Sequence, residues 1–360
     1  MNNYTVAILT QNGIDNNKGN YLEDIVIESP DIYVEFTQED KRYFYNNSII
    51  ENNFIKDYTK IAENQSARPT TFTFGYNIVS KIFLNKSTFT KHNIDEIKKS
   101  IEYFVIYIDR KGNILQHTPV TSTKAAVCIK LNINNIQLLF INLHLPMLKK
   151  EEGLGVAERT KSLKDLMEYL QHESIADPDT NLIIGGDLNF RMDEHGNDQL
   201  TDLIKNTEIK EMNDDQNMFT CKFTNKLNNK NNNFDHLKQC RESDFTKGNF
   251  TEIQSEVQNN CGVSNRLPSK CDRFLIVEGY GTSIKPIEYK AIYLENLKSD
   301  HNAVYSIFTI ESDEISPRPK VTRSKNTRSK NTRSKVTHSK NTNKKGGLKN
   351  KKYTRRKYVK

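Results

Sequence analysis

The sequence predicts an α/β protein in which two β-sheets pack face to face with helices outside. Two observations carry this. Nine short β-type segments recur, at 5–10, 32–37, 71–79, 103–108, 125–131, 137–143, 181–184, 273–277 and 303–310. Only one segment, 158–172, reads as a strong helix. Many strands with few helices between them favour two packed sheets with helices on the outer faces.

Several of the strand segments are continuous apolar runs, the pattern of strands buried on both faces. In the helix, Leu163, Leu166, Met167 and Leu170 fall at i, i+3, i+4 and i+7 and form one apolar stripe. Hydrophobic residues are 35 % of the 360-residue chain, a low share. The deficit sits in 41–66, 225–262 and everything after Pro317. The stretch 225–262 is rich in Asn and Lys and reads as a long polar insertion.

Charge is divided in the same way. Of the 53 Lys and Arg, 18 lie beyond Pro317, where there is no Asp or Glu. The remaining 35 face all 45 acidic residues, so the body has a net charge of −10. The basic end carries a five-residue repeat, TRSKN from Thr322 and Thr327, TRSKV from Thr332 and THSKN from Thr337. Five is no solenoid or coiled-coil period. With very little that is apolar to bury, a disordered tail over 313–360 is expected after a catalytic domain over 1–312. Such a tail suits an anionic membrane surface, at about 1 kcal/mol per basic residue, or nucleic acid through its phosphates, or targeting and packaging.

Five cysteines, an odd number without a CxxC pair, fit neither a secreted disulfide framework nor a zinc site. Reduced thiols imply a cytoplasmic protein, peripheral at membranes if the tail binds them. The N-terminal residues do not read as a signal peptide. The longest mostly apolar run, 136–146, is too short and too polar for a transmembrane segment.

Four segments carry candidate chemistry. In the first, an apolar strand enters Gly185-Gly186-Asp187-Leu188-Asn189. Positions i and i+2 of an extended chain point the same way, so Asp187 and Asn189 would share one face. A carboxylate there accepts a proton from water, and an amide donates to an oxyanion. Gly-Gly-Asp is also ordinary turn chemistry. In the second, a β-rich run from Asp31 ends in Gln38-Glu39, where Glu39 offers the hard oxygen that Mg²⁺ wants, or simply a solvated charge. The third is Arg266-Leu267-Pro268-Ser269-Lys270-Cys271-Asp272-Arg273, a turn leading into a strand. The fourth is Ser299-Asp300-His301, just before the last strand. Each alone has a structural explanation. Together with Asn12 they lie at strand ends that a sandwich brings to one cleft, and they supply metal ligands, a base, an oxyanion donor and a carboxylate-supported histidine.

At this point the chain resembles the inositol polyphosphate 5-phosphatases of the endonuclease/exonuclease/phosphatase superfamily. Gly186-Asp187-Leu188-Asn189-Phe190-Arg191 is similar to that family's G-D-x-N-[YF]-R, and Pro268-Ser269-Lys270-Cys271-Asp272-Arg273-Phe274-Leu275 to its P-[AS]-W-C-D-R-[IV]-L. Further similarities follow in order: Thr10-Gln11-Asn12 with T-W-N, Asp31 to Glu39 with D-I-Y-V-x-x-x-Q-E, Lys124-Ala125 with K-G, and Asn142-Leu143-His144-Leu145 with N-S-H-L. Arg159 falls at a helix-opening arginine, Thr220-Cys221-Lys222-Phe223 resembles T-Y-K-F, and Ser299-Asp300-His301 matches S-D-H. Gln11 and Lys270 stand where the family has tryptophan, Ala125 where it has glycine, and Leu143 where it has serine.

The resemblance implies a DNase I-like four-layer α/β sandwich and Mg²⁺-dependent removal of the 5-phosphate from inositol polyphosphates or phosphoinositides. It implies that Asn12 and Glu39, with Asp300 as a further ligand, hold Mg²⁺. Asp187 would activate water, Asn189 and His301 would stabilise the phosphoryl oxygens, and Asp272 would support His301. His144 and Asn142 would contact the phosphate, and Lys124, Lys222 and Arg266 would read neighbouring phosphates. The competing readings are a Mg²⁺-dependent nuclease of the same superfamily, disfavoured by the acidic body and the Pro268–Leu275 block, and an inactive binding module of the same fold.

Overall fold

Among the described residues, thirteen strands form two mixed sheets that pack face to face. The computed structural model describes residues 3–12, 29–40, 57–66, 77–115, 124–146, 155–190, 198–212, 270–292, 301 and 303–312. The strands are β1 (Asn3–Asn12), β2 (Ile32–Asp40), β3 (Tyr58–Gln65), β4 (Asn77–Asn85), β5 (Glu102–Ile108), β6 (Ile114–Leu115), β7 (Ala125–Ile133), β8 (Ile136–His144), β9 (Thr180–Asp187), β10 (Lys210–Glu211), β11 (Asp272–Val277), β12 (Thr282–Ile292) and β13 (Ala303–Ser312). The helices are α1 (Lys91–Lys99), α2 (Val156–His172) and α3 (Gln199–Ile204). One sheet has the order β12-β13-β1-β2-β4-β3 and the other β10-β11-β9-β8-β7-β5-β6. Each contains one parallel pair, β1–β2 and β8–β9, among antiparallel neighbours. This is the expected α/β sandwich.

Alternation along each strand sorts the core into two layers. Val6, Ile8, Val34, Phe36, Leu138, Phe140, Ile183, Phe274 and Phe308 fill the space between the sheets. Leu139, Ile141, Leu143, Ile184 and Leu275 face the other way, against Leu163, Leu166 and Leu170 of α2 and Leu200 of α3. The period of two thus serves both faces of β8 and β9, which explains the apolar runs 138–141 and 182–184 within them. Burying a Phe or Leu in such a layer contributes about 1.5–3 kcal/mol.

Local signals fix the connections. The β7–β8 hairpin turns on Asn134 and Asn135, both at positive φ (47° and 69°), the geometry of a type I′ turn. Helix α1 opens on a reciprocal cap between Thr90 and Asn93. Helix α2 begins two residues before the expected 158 and follows Gly155 in left-handed backbone.

Some elements differ from expectation. Strand β3 lies inside the stretch 41–66 that reads as polar. It is an edge strand and buries only Tyr58, Ile61 and Ala62. Strand β12, also at an edge, gives no sequence signal because Pro286 and a register shift interrupt it. The expected strand 71–79 meets β4 only from residue 77 onward. The chain divides into one unit, Met1–Ser316, and another, Pro317–Lys360. The insertion 225–262 and the basic repeat lie outside the described residues.

Candidate active site

The site continues the inter-sheet face beyond the apolar core. Following Ile8, Phe36, Phe140, Ile183 and Phe274 two residues at a time leads to Thr10 and Asn12 on β1, Gln38 on β2, Asn142 and His144 on β8, Asp187 on β9, and Asp272 at the start of β11. At one end of the sandwich every one of these strands exchanges apolar for polar side chains on the same face. His301 joins them from just before β13.

Asp187 is the hub. Its Oδ2 accepts from Asn12 Nδ2 at 2.7 Å, across from the other sheet, and lies 3.3 Å from His144 Nε2. Its Oδ1 accepts from the Asn189 backbone N–H at 3.0 Å. Burial would push this carboxyl up, but the charge of His301, the hydrogen bond from His144 and the Lys124 cation outweigh it. The net effect holds Asp187 well below the usual carboxylate range. It is therefore ionised at any ordinary pH.

Backbone geometry presents these groups. Gly186 has φ 132°, and a Cβ there would lie 2.2 Å from the Leu143 carbonyl oxygen, so only glycine fits between β8 and Asp187. Asn189 adopts positive φ (54°) and donates one Nδ2–H to Leu145 O at 3.0 Å. The amide carries a second N–H, the donor type that a phosphoryl oxygen accepts. Glu39 also has positive φ (52°), where the β2–β4 register shifts. This bulge breaks the alternation that would otherwise turn Glu39 away from the face of Gln38. Glu39 consequently raises the proton affinity of both Lys124 and His144.

The second half of the site is the pair His301 Nδ1 and Asp272 Oδ2, 2.7 Å apart, both buried. Asp272 stands in register with Asp187. One ligand atom each from Asp187, Asp272 and His301 lie within 4.8 Å of one another, a group with the donor chemistry for a cation. Glu39 and Asn12 add a hard carboxylate and an amide oxygen, the ligand types of Mg²⁺. Closely spaced buried carboxylates and these oxygen donors fit a divalent cation.

Lys124 Nζ contacts His144 Nε2. Burial lowers the proton affinity of both, and the Lys124 charge lowers that of His144 further. Lys124 is thus half-buried beside the site rather than a solvated surface charge. Asn142 ties the two sheets together. It is fully buried, its Oδ1 accepts from Gln38 Nε2 at 2.6 Å, and its Nδ2 donates to Thr37 O and Val79 O at 3.2 and 2.8 Å. With both ends of its amide engaged by protein, Asn142 is a strut between the sheets. Gln38 completes that strut by donating to Thr10 Oγ1 at 3.0 Å, a role the sequence does not reveal. Asp300, Lys222 and Arg266 lie outside the described residues.

Beneath this layer, on the outer face, Arg273 forms a buried cluster. Its Nη1 and Nη2 donate to Asp198 at 2.5 and 2.8 Å, and Nη1 lies 3.3 Å from Glu211. Burial pushes the Glu211 carboxyl up despite this partner, whereas Asp198 is lowered because Arg273 outweighs burial. On the same side Arg159, buried in α2, stacks over the Phe190 ring at 5.6 Å, under the Asp187–Asn189 turn.

A buried Asp–His pair facing an ionised carboxylate, at one end of two packed mixed sheets, defines the phosphoesterase and nuclease class of α/β sandwich. The chain belongs to endonuclease/exonuclease/phosphatase family 2, whose model matches residues 35–307. No curated protein sequence matches it. Among solved structures, the inositol polyphosphate 5-phosphatase domain of SPsynaptojanin, in complex with inositol (1,4)-bisphosphate and calcium ion, has a TM-score of 0.53 at 17 % identity, covering 87 % of this chain and 86 % of that one. A point mutant of Cimex nitrophorin, in a ferrous NO complex, also scores 0.53, at 15 % identity over 86 % of this chain and 98 % of that one. These likenesses show the fold. Proteins with such different ligands share it, so chemistry has to be argued from the site's own residues.

Proposed function

We propose that the chain is a Mg²⁺-dependent phosphomonoesterase that removes the 5-phosphate from inositol phosphates or phosphoinositide headgroups. The observation that carries this reading is the Asp272–His301 pair set directly beside the buried Asp187 on neighbouring strands. The ordered motifs around these residues, above all Pro268–Leu275, favour a phosphatase over a nuclease.

In this reading Asn12 and Glu39 hold the cation, with Asp300 as a further ligand, and the bound cation supplies charge neutralisation at the phosphate. Asp187 accepts a hydrogen bond from the attacking water and aims its lone pair at phosphorus. Asp187 accepts the water's proton as the new P–O bond forms, and the bond from phosphorus to the inositol oxygen breaks, that oxygen leaving as the protonated alcohol. Asn189 and His301 donate to the phosphoryl oxygens where charge develops. Asp272 accepts from His301 Nδ1, which fixes the tautomer with Nε2 toward the substrate. His144 donates to Asp187, and Lys124 places positive charge beside the phosphate. Lys222 and Arg266 are proposed to read neighbouring phosphates.

The same reading assigns catalysis to residues 1–312 and an accessory, polyanion-binding role to 313–360. The test is a panel of soluble inositol phosphates, phosphoinositide vesicles and plasmid DNA, each with Mg²⁺ and with EDTA. Release of inorganic phosphate from the inositol substrates, abolished by EDTA, is expected. Nicking of plasmid without phosphate release would replace this reading with the nuclease.

A further inference from the structure

We propose that Arg273 is a positioning residue for the Asp272–His301 pair, locked into that role by Asp198 and Glu211. The proposal rests on the phosphoesterase reading for its kinetic consequence, but its structural part stands apart from it.

Asp272 and Arg273 are neighbours on β11 and point to opposite faces. Asp272, like Phe274 and Ile276, faces the space between the sheets, and Arg273, like Leu275, faces outward. Arg273 is fully buried. Its guanidinium makes a two-pronged pair with both oxygens of Asp198 and reaches Glu211 as well. Asp198 is itself fixed as the N-cap of α3, accepting from Leu200 N at 3.1 Å. Glu211 belongs to β10, paired with Leu275. Meanwhile Arg273 Nε returns to the Lys270 carbonyl at 2.5 Å, and Cys271 O accepts from Leu188 N at 2.8 Å.

Asp272 is therefore bracketed on both sides. The carbonyl two residues before it is tied to the Arg273 side chain. The residue directly before it is tied to the turn that carries Asp187 and Asn189. The residue after it is tied to α3 and β10. These ties set the Asp272 carboxylate 2.7 Å from His301 Nδ1, and a hydrogen bond of that length weakens with small displacements.

A buried ion pair is weak evidence for stability, because desolvation offsets the attraction. An apolar side chain at 273 would fill the space but could not hold the Lys270 carbonyl. The planar five-donor fork of arginine does both at once, and lysine cannot reproduce it. The benefit that distinguishes arginine here is the placement of Asp272.

The test uses the full-length protein carrying Arg273→Lys or Asp198→Asn, each alone and combined with Asp272→Asn. With a soluble inositol bisphosphate and Mg²⁺, Arg273→Lys is expected to lower kcat about 10-fold with KM changed less than about twofold. In the Asp272→Asn background the same change should cost less than about twofold, because the residue it positions is gone. Asp198→Asn should follow the same pattern with a smaller loss. Equal losses in both backgrounds, or an undiminished kcat in Arg273→Lys, would overturn the proposal.

A second readout does not need turnover. The downfield Nδ1–H proton of His301, assigned by its loss in His301→Ala, should be seen by NMR in the wild type. It should persist in Leu166→Ala, which is destabilised in the α2 core, and be lost in Arg273→Lys. Persistence in Arg273→Lys would refute the positioning role. A wild type that hydrolyses no phosphomonoester would remove the phosphatase reading, and this NMR comparison would then decide the positioning role alone.

Discussion

Asp272 stands directly opposite Asp187 across the β9–β11 ladder, both buried, each held by a different partner. Like charges at such positions repel, and here His301 is bonded to one while Asn12 and His144 approach the other. Two adjacent carboxylates thereby have different partners, and each can be removed separately. Asp187→Asn should lower kcat by about 100-fold or more with little change in KM, since the amide cannot accept the proton from water. Near-normal turnover would take Asp187 out of the mechanism.

Glu39→Gln should raise the Mg²⁺ concentration needed for half-maximal activity, because a neutral amide is a poorer ligand for a hard cation. A metal titration of both proteins measures this. An unchanged half-saturation point would show that the left-handed turn at Glu39 does not serve a cation.

Gly186→Ala should damage both stability and activity. The added Cβ meets the Leu143 carbonyl oxygen at 2.2 Å in a backbone with φ 132°, so β9 must move and Asp187 moves with it. Strain of this kind typically costs about 1–3 kcal/mol. A melting temperature and kcat equal to the wild type would contradict the close approach.

Stability should depend on acid through Asp198. Its folded proton affinity is lowered by Arg273 in spite of burial, so its contribution is fully present above the ordinary carboxylate range. It is lost as pH falls through the lowered folded value. Asp198→Asn should melt below the wild type at neutral pH, and the two melting curves should converge below about pH 4. A gap that stays constant with pH would mean that the charge of Asp198 is immaterial.

Deleting residues 318–360 should leave hydrolysis of a soluble inositol phosphate unchanged. It should weaken binding to anionic vesicles or nucleic acid, most at low salt where screening is least. Vesicle flotation and filter binding read the second effect, and phosphate release the first. A loss of soluble turnover would place the basic repeat in catalysis.

The strands buried on both faces are legible in the sequence, because β8 and β9 carry the apolar runs 138–141 and 182–184. Strands β3 and β12 are hidden, since their edge positions tolerate polar residues and a proline. Within β4, Lys81 stands opposite Glu35 in the neighbouring strand, and both are buried. These two charged residues interrupt the apolar pattern of both strands. Asp187, Asn189, Asp272 and His301 are readable because each follows or precedes a strand. Arg273 is visible only as part of a motif, since its partner Asp198 is 75 residues away and the pairing exists only in the folded chain. The struts Gln38 and Asn142 escape a linear reading for the same reason: the partners of a buried amide are seen only in the folded chain.

The β1–β13 pairing has a kinetic consequence. It joins the two ends of the folded body in eight register pairs from Asn3↔Glu311 to Thr10↔Val304, and it brings His301 to the end of the sandwich that carries Asn12. Contacts of such sequence separation close late and slowly. A partly folded chain that had already joined β7, β8, β9 and β11 would own Asp187, His144 and Asp272 yet lack His301 in place. Recovery of turnover during refolding should therefore lag behind recovery of β-sheet signal, and enzymatic activity becomes a timer for the last strand to dock.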